Sequence, residues 1–168
     1  MIIFTLTIFL LSCDNSTQTP LNSNNHYIIN EAVESFIMSE EGFRSKPYTC
    51  KGGMLTIGYG TKAKSINDIV DKSEAQKRLR EYLNNITYKK IARYNIHPTT
   101  NQLIALSSFD FNTNKMINLI NEDKSINCDK ILLYNKIKVK TDNGYEYIVS
   151  EGLNKRRIKE YNICKKSM

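Results

Sequence analysis

The stretch from Glu41 to Thr61, EGFRSKPYTCKGGMLTIGYGT, constrains the fold more than any other part of the chain. Just before it, Ala32, Val33, Phe36 and Ile37 fall at helical spacing, with Asn30 as the expected N-cap. Gly42 then supplies the residue type that most easily takes the left-handed turn closing a helix. Beyond it, Tyr48–Cys50 and Met54–Tyr59 read as two short strands around Lys51-Gly52-Gly53, a hairpin signal. A helix must therefore run directly into a small antiparallel sheet. The rest of the chain turns helical. Ser73 and Gln76 have capping-box spacing ahead of Leu79, Tyr82, Leu83 and Ile86, and Thr99 and Gln102 repeat it ahead of Leu103, Leu106 and Phe109. A further apolar run covers Ile131–Tyr134, and a basic helix is expected to start near Leu153. No internal repeat is present. The expected class is α+β, mainly α, with a small β-hairpin lobe followed by a helical lobe.

Net charge is +7, and the first twelve residues carry none of it. Such a balance attracts polyanions in general: nucleic acid, anionic lipid or cell-wall polymer. The basic residues are spread along the chain with no nucleic-acid module among them, so nucleic acid is not the expected partner. Met1–Ser12, MIIFTLTIFLLS, is apolar but shorter than the roughly 20 residues a spanning helix needs. Its length is that of a signal-peptide core. Leu10-Leu11-Ser12-Cys13 has the form of a lipoprotein lipobox, in which Cys13 would be lipidated. An uncleaved signal anchor and an ordinary cleaved signal peptide are the competing readings. Residues 14–26 are polar, with tether composition, which leaves 27–168 as the domain. Export to the cell envelope follows, with attachment to a membrane through the N-terminal lipid.

Glu41 sits at the expected C-terminal end of a helix, beside Glu40. The negative helix end and the like charge both disfavour ionisation there. A carboxyl group that keeps its proton is what general-acid cleavage of a glycosidic bond requires. An isolated Glu pair, however, is usually just a solvated helix end.

The ordered segment makes the case specific. Eight residues separate Glu41 from Cys50, and five separate Cys50 from Thr56, which lies in a T-I-G-Y-G strand. This pattern, with Arg44, Tyr48, Gly53, Ile57, Gly58 and Gly60, resembles the signature of the phage lysozyme family, glycoside hydrolase family 24. Gln102–Asn112, QLIALSSFDFN, resembles the core helix of that family, and Gly152–Glu160, GLNKRRIKE, its C-terminal G-L-x-x-R-R-x-x-E helix. The resemblance spans residues 28–164. Three departures stand out. The chain has no Trp, and Tyr134 is expected to fill part of that volume. Asn114 replaces the usual Gly after the F-N pair, and Thr61 stands where many members carry His. Asn tolerates a left-handed backbone better than most residues.

The resemblance implies a lysozyme-like fold and a muramidase acting on the bond between N-acetylmuramic acid and N-acetylglucosamine in peptidoglycan. Glu41 would donate the proton. Cys50, where a carboxylate is usual, would position or activate water or stabilise an oxocarbenium-like transition state, and Thr56 would hold the water. Arg156, rather than Arg157, resembles the arginine that pairs with the catalytic Glu. A catalytically degenerate wall-binding or inhibitory lipoprotein and a lytic transglycosylase are the rival functions. If Cys13 is lipidated and Cys50 is a working thiol, Cys128 and Cys164 remain as a pair; the alternative is a disulfide involving Cys50, which would hold the enzyme off. No metal or cofactor is expected: His26 and His97 are isolated, and Tyr88–Arg93 reads as a solvated basic helix face. The expected state is a monomer.

Overall fold

The computed structural model describes residues 23–50, 53–142 and 144–166, with side chains described from Glu31 onward. The expectations for Met1–Ser12, Cys13 and most of the tether, together with Lys51 and Gly52, lie outside the described residues. Helix α1 spans Ser23–Glu41. Asn30 is therefore inside the helix and not its cap. Nothing from Ser23 to Asn30 is Gly or Pro, so no residue stops the helix from extending toward the N-terminus. Gly42 ends α1 as expected, with φ +68° and its N–H donating to the Met38 carbonyl at 3.1 Å.

Strands β1 (Arg44–Thr49), β2 (Leu55–Gly58) and β3 (Thr61–Lys62) form an antiparallel sheet in that order. Tyr48 faces Thr56 across β1 and β2, and the Cys50 N–H continues the ladder to the Met54 carbonyl at 2.9 Å. Helix α2 (Lys72–Tyr82) follows, then a π-helical turn (Leu83–Thr87) and the short helix α3 (Tyr88–Arg93). The cap of α2 is Asp71, whose side chain accepts from the Glu74 N–H at 2.7 Å, and not the expected Ser73 box. A carboxylate answers the positive end of a helix better than a neutral hydroxyl does, which favours the earlier start. Helix α4 (Thr100–Thr113) has the full Thr99/Gln102 capping box, and Asn114 closes it in the left-handed conformation, φ 58°. Two short 3₁₀ turns, Met116–Leu119 and Cys128–Leu133, lead to a second hairpin, β4 (Lys136–Thr141) and β5 (Gly144–Val149). Helix α5 (Glu151–Cys164) is capped by Ser150.

Two cores result. Val33, Ile37, Ile57, Tyr59, Ala75, Leu79 and Leu83 pack α1, α2 and the sheet into one. Leu106, Phe109, Met116, Leu119, Cys128, Ile131 and Cys164 form the other, around α4, the 3₁₀ turns and the end of α5. Leu103, Ile104 and Phe111 of α4 also pack on the first core, so this helix joins the lobes. Buried Glu34 on α1 receives Arg80 at 2.6 Å and Gln76 at 2.9 Å, a charged clamp between α1 and α2. Tyr134 meets the Phe109 ring edge-on at 4.9 Å. The Tyr88–Arg93 helix is not simply a solvated face, because Lys90 reaches buried Asp110 at 2.9 Å and Asn114 at 2.5 Å. A cation on that face is recruited because Asp110, fully buried, needs a counter-charge.

Candidate active site

Glu41 is the last residue of α1, and the left-handed Gly42 behind it turns the chain into β1. Its carboxyl group is 19% exposed, open enough to meet a ligand. Arg156 Nη1 donates to Glu41 Oε1 at 2.6 Å across the lobe boundary. The other oxygen, Oε2, faces Gly60. A Cβ on Gly60 would stand 3.3 Å from Oε2 and 3.3 Å from the Phe111 ring. Gly60 also has φ +85°, so both the room beside the acid and the backbone require glycine there.

The guanidinium of Arg156 is held in place by partners of its own. Its Nε donates to Glu160 Oε1 at 3.1 Å, and its Nη2 to the Ser108 carbonyl and hydroxyl at 3.2 and 3.1 Å. Ser108 in turn donates to Glu160 at 2.6 Å. Arg157 is fully buried on the other side of Glu160, lies 5.0 Å from the centre of the Phe109 ring, and donates to Asn112 at 3.1 Å. Burial pushes the Glu160 carboxyl above its ordinary pKa, while Arg157, the Ser108 hydroxyl and Arg156 pull the other way. Burial likewise lowers Arg157 from its ordinary value. Ser108 and Glu160 did not emerge from the sequence as site residues. Their signal was present in the quoted QLIALSSFDFN and GLNKRRIKE segments, where Glu160 lies one helical turn beyond Arg156.

Glu40 is paired with Lys159 at 2.7 Å, and the Glu41 carboxylate itself with Arg156. Both cations project from α5; the resemblance pointed to Arg156, while Lys159 was not singled out in sequence.

Thr56 lies on β2, almost fully buried, and its hydroxyl donates to the Tyr48 carbonyl at 3.2 Å. Cys50 carries a free, half-buried thiol. Its carbonyl accepts from the Gly53 N–H at 2.9 Å, closing the turn. The sheet thus joins Cys50 and Thr56 through Tyr48 and Met54. Among the described residues, no hydrogen bond links either side chain to Glu41. Cys128 and Cys164 form a disulfide. A depression of about 520 Å³ lies beside it, lined by Thr99, Gln102, Asn121, Asn127 and Lys165, and includes none of the four site residues. Among the described residues, no cluster of His, Cys, Asp and Glu could hold a metal ion.

An endolysin from Acyrthosiphon pisum secondary endosymbiont phage 1 is 34% identical over 85 residues, half of this chain. That match spans 58% of the endolysin, so the chain covers little more than half the length of this curated relative. Among solved structures, the muramidase domain of SpmX from Asticaccaulis excentricus aligns with a TM-score of 0.67 at 23% identity, over 83% of this chain and 98% of that one. The endolysin from Escherichia coli O157:H7 phage FAHEc1 aligns with a TM-score of 0.60, also at 23% identity, over 90% and 96%. The phage lysozyme family model matches residues 38–160, from the last turn of α1 through Glu160. That span holds Glu41, the sheet, most of both cores and the arginine network, and this chain belongs to the phage lysozyme family.

Proposed function

We propose that the chain is a peptidoglycan muramidase, hydrolysing the β-1,4 bond between N-acetylmuramic acid and N-acetylglucosamine. The observation that carries this reading is Glu41: a partly exposed carboxyl at a helix end, fixed through one oxygen by a buried arginine and walled by a glycine at the other. Arg156 occupies Oε1, which leaves Oε2 to carry the proton delivered to the bridging oxygen. As the bond breaks, positive charge develops on the sugar ring, and a water oxygen adds to the anomeric carbon and releases a proton to solvent, which restores the acid form of Glu41 for the next turnover. Cys50 and Thr56 position that water. The Thr56 hydrogen is committed to Tyr48, so its oxygen serves as an acceptor and orients the water through one of its hydrogens. Arg156 keeps the Glu41 side chain in one orientation throughout.

The reading places the domain in the cell envelope as a monomer acting on glycan strands, held at a membrane through Cys13. Two features support this location: the apolar Met1–Ser12 run ahead of Cys13, and the Cys128–Cys164 disulfide, which persists in an oxidising compartment. Glu41→Gln retains the shape and cannot donate the proton. Clearing of bacterial walls should fall by roughly 10²–10⁴-fold with the far-ultraviolet spectrum unchanged. Glu40→Gln should stay close to wild type, since Glu40 answers Lys159 rather than the substrate. Near-normal clearing by Glu41→Gln would remove Glu41 from the mechanism. Mass spectrometry of the digested wall separates the rival activities: hydrolysis leaves reducing muramic ends, a transglycosylase leaves anhydro ends, and a binding protein leaves the strands uncut.

A further inference from the structure

The hairpin β4–β5 has no part in the chemistry described above. Its register pairs Lys136 with Val149, Lys138 with Tyr147 and Lys140 with Tyr145. Directly paired residues share a face, and so do alternate residues along a strand. One face of the ribbon therefore carries three lysines, two tyrosines and a valine, and no acidic residue. All six are exposed, Tyr145 to 63%, Tyr147 to 68% and Val149 to 56%. Lys138 Nζ lies 4.0 Å from the centre of the Tyr145 ring, so cation and ring are already interleaved. Leu133, just before the hairpin, is 72% exposed. The opposite face carries half-buried Ile137 and Val139 beside exposed Glu146 and Ile148, so it lacks the three-lysine array.

Uncovered tyrosine and aliphatic surface on a soluble face has a cost in water, and a concentration of it marks a contact site. Three cations without a carboxylate among them select an anionic partner. A soluble phosphate polymer would account for the lysines but leave Tyr145, Tyr147, Val149 and Leu133 in water. A bilayer satisfies both demands. Tyrosine rings settle at the headgroup level with the hydroxyl in water, and lysine stems lie along apolar surface while their ammonium groups reach lipid phosphates. The sequence ahead of the domain agrees, since Met1–Ser12 has the length of an export signal core and ends at Cys13 in lipobox form, which brings the domain to a membrane surface.

We infer that the Lys136–Val149 hairpin docks its lysine–tyrosine face on an anionic phospholipid bilayer. The inference does not depend on the muramidase reading, and its test does not measure activity. The chain has no tryptophan, so Tyr147→Trp in the full-length, oxidised protein is a single fluorescent reporter. Its emission should shift to the blue on adding phosphatidylglycerol-containing vesicles, and return on adding salt. Neutral phosphatidylcholine vesicles should leave it unchanged. Each lysine near an anionic surface is worth about fivefold, so Lys136→Gln, Lys138→Gln and Lys140→Gln together should weaken embedding of the indole about a hundredfold. An Ile66→Trp reporter, on an exposed loop of the other lobe, should not shift, which separates docking of the hairpin from insertion of the N-terminal run. An unshifted Tyr147→Trp overturns the inference. So does an equal shift on neutral vesicles, an equal shift at Ile66→Trp, or a response to a soluble anionic wall polymer without one to vesicles.

Discussion

At Cys50 the chain carries a thiol where members of the family usually carry a carboxylate, and the two handle water differently. A carboxylate accepts hydrogen bonds through two charged oxygens, whereas a neutral thiol is a weak donor and a weak acceptor. If Cys50 takes part in positioning the water, Cys50→Ser should lower wall clearing at least roughly tenfold, and alkylation of the thiol should abolish it. Cys50→Asp should retain much of the activity by supplying a full acceptor. Full activity in Cys50→Ala would confine the residue to closing the Gly53 turn through its backbone. Glu41 and Arg156 could be picked out of the sequence because each sits in an ordered motif. Ser108 and Glu160 stand in such motifs too but had no legible role, because a hydroxyl and a carboxylate 52 positions apart acquire a joint meaning only once α4 and α5 pack together. The charge surroundings of Glu41 were legible in part: its helix, its neighbour Glu40 and, by resemblance, Arg156 were visible in sequence, whereas Lys159, which pairs with Glu40 from 119 positions away, was not.

Among the elements, the sheet's glycines separate backbone strain from close approach. Gly42 and Gly58 both have positive φ, +68° and +64°, but their surroundings differ. A Cβ on Gly42 meets nothing within 4 Å, while one on Gly58 would lie 2.7 Å from the Ala75 Cβ on α2. Gly42→Ala should therefore cost only the left-handed penalty, roughly 1–2 kcal/mol. Gly58→Ala must also push α2 off β2, and should cost about 2–5 kcal/mol in denaturant titrations. Equal losses at the two positions would show that α2 does not rest on the strand. The same sheet was readable from sequence because glycines bracket its strands. The β4–β5 hairpin was missed although Lys-Ile-Lys-Val-Lys alternates and an Asn-Gly dipeptide, a turn signal in sequence, follows it. Its alternation sets lysine against half-buried aliphatics on β4, but β5 is exposed throughout, so no continuous apolar face announces a strand pair. The cap of α2 shifted for a simpler reason: Asp71-x-x-Glu74 has the same spacing as Ser73-x-x-Gln76, and sequence ranks the two poorly.

For the whole molecule, the disulfide ties the last residue of α5 to the 3₁₀ turn at Cys128, closing a loop with a sequence separation of 36. Reducing it should lower stability by about 4 kcal/mol through the entropy of the unfolded chain. For a protein of this size that corresponds to a drop in Tm of roughly 10 °C, measurable by calorimetry with and without a reductant. An unchanged Tm would mean that core packing alone holds the end of α5. Since α5 also carries Arg156 and Lys159, the staple fastens the helix from which both glutamates of α1 receive their counter-charges. This placement has a consequence for how such a chain would age. Arg156, Ser108 and Glu160 form the seam between α4 and α5, so the molecule needs them simply to stay assembled. Arg156 keeps Glu160 and Ser108 as partners in that seam whatever stands at position 41. A descendant released from the demand for chemistry would let the acid drift and keep its guanidinium, still aimed at a corner where no carboxyl stands. Decoys and working copies of this protein would thus share the arginine and differ at a single helix end.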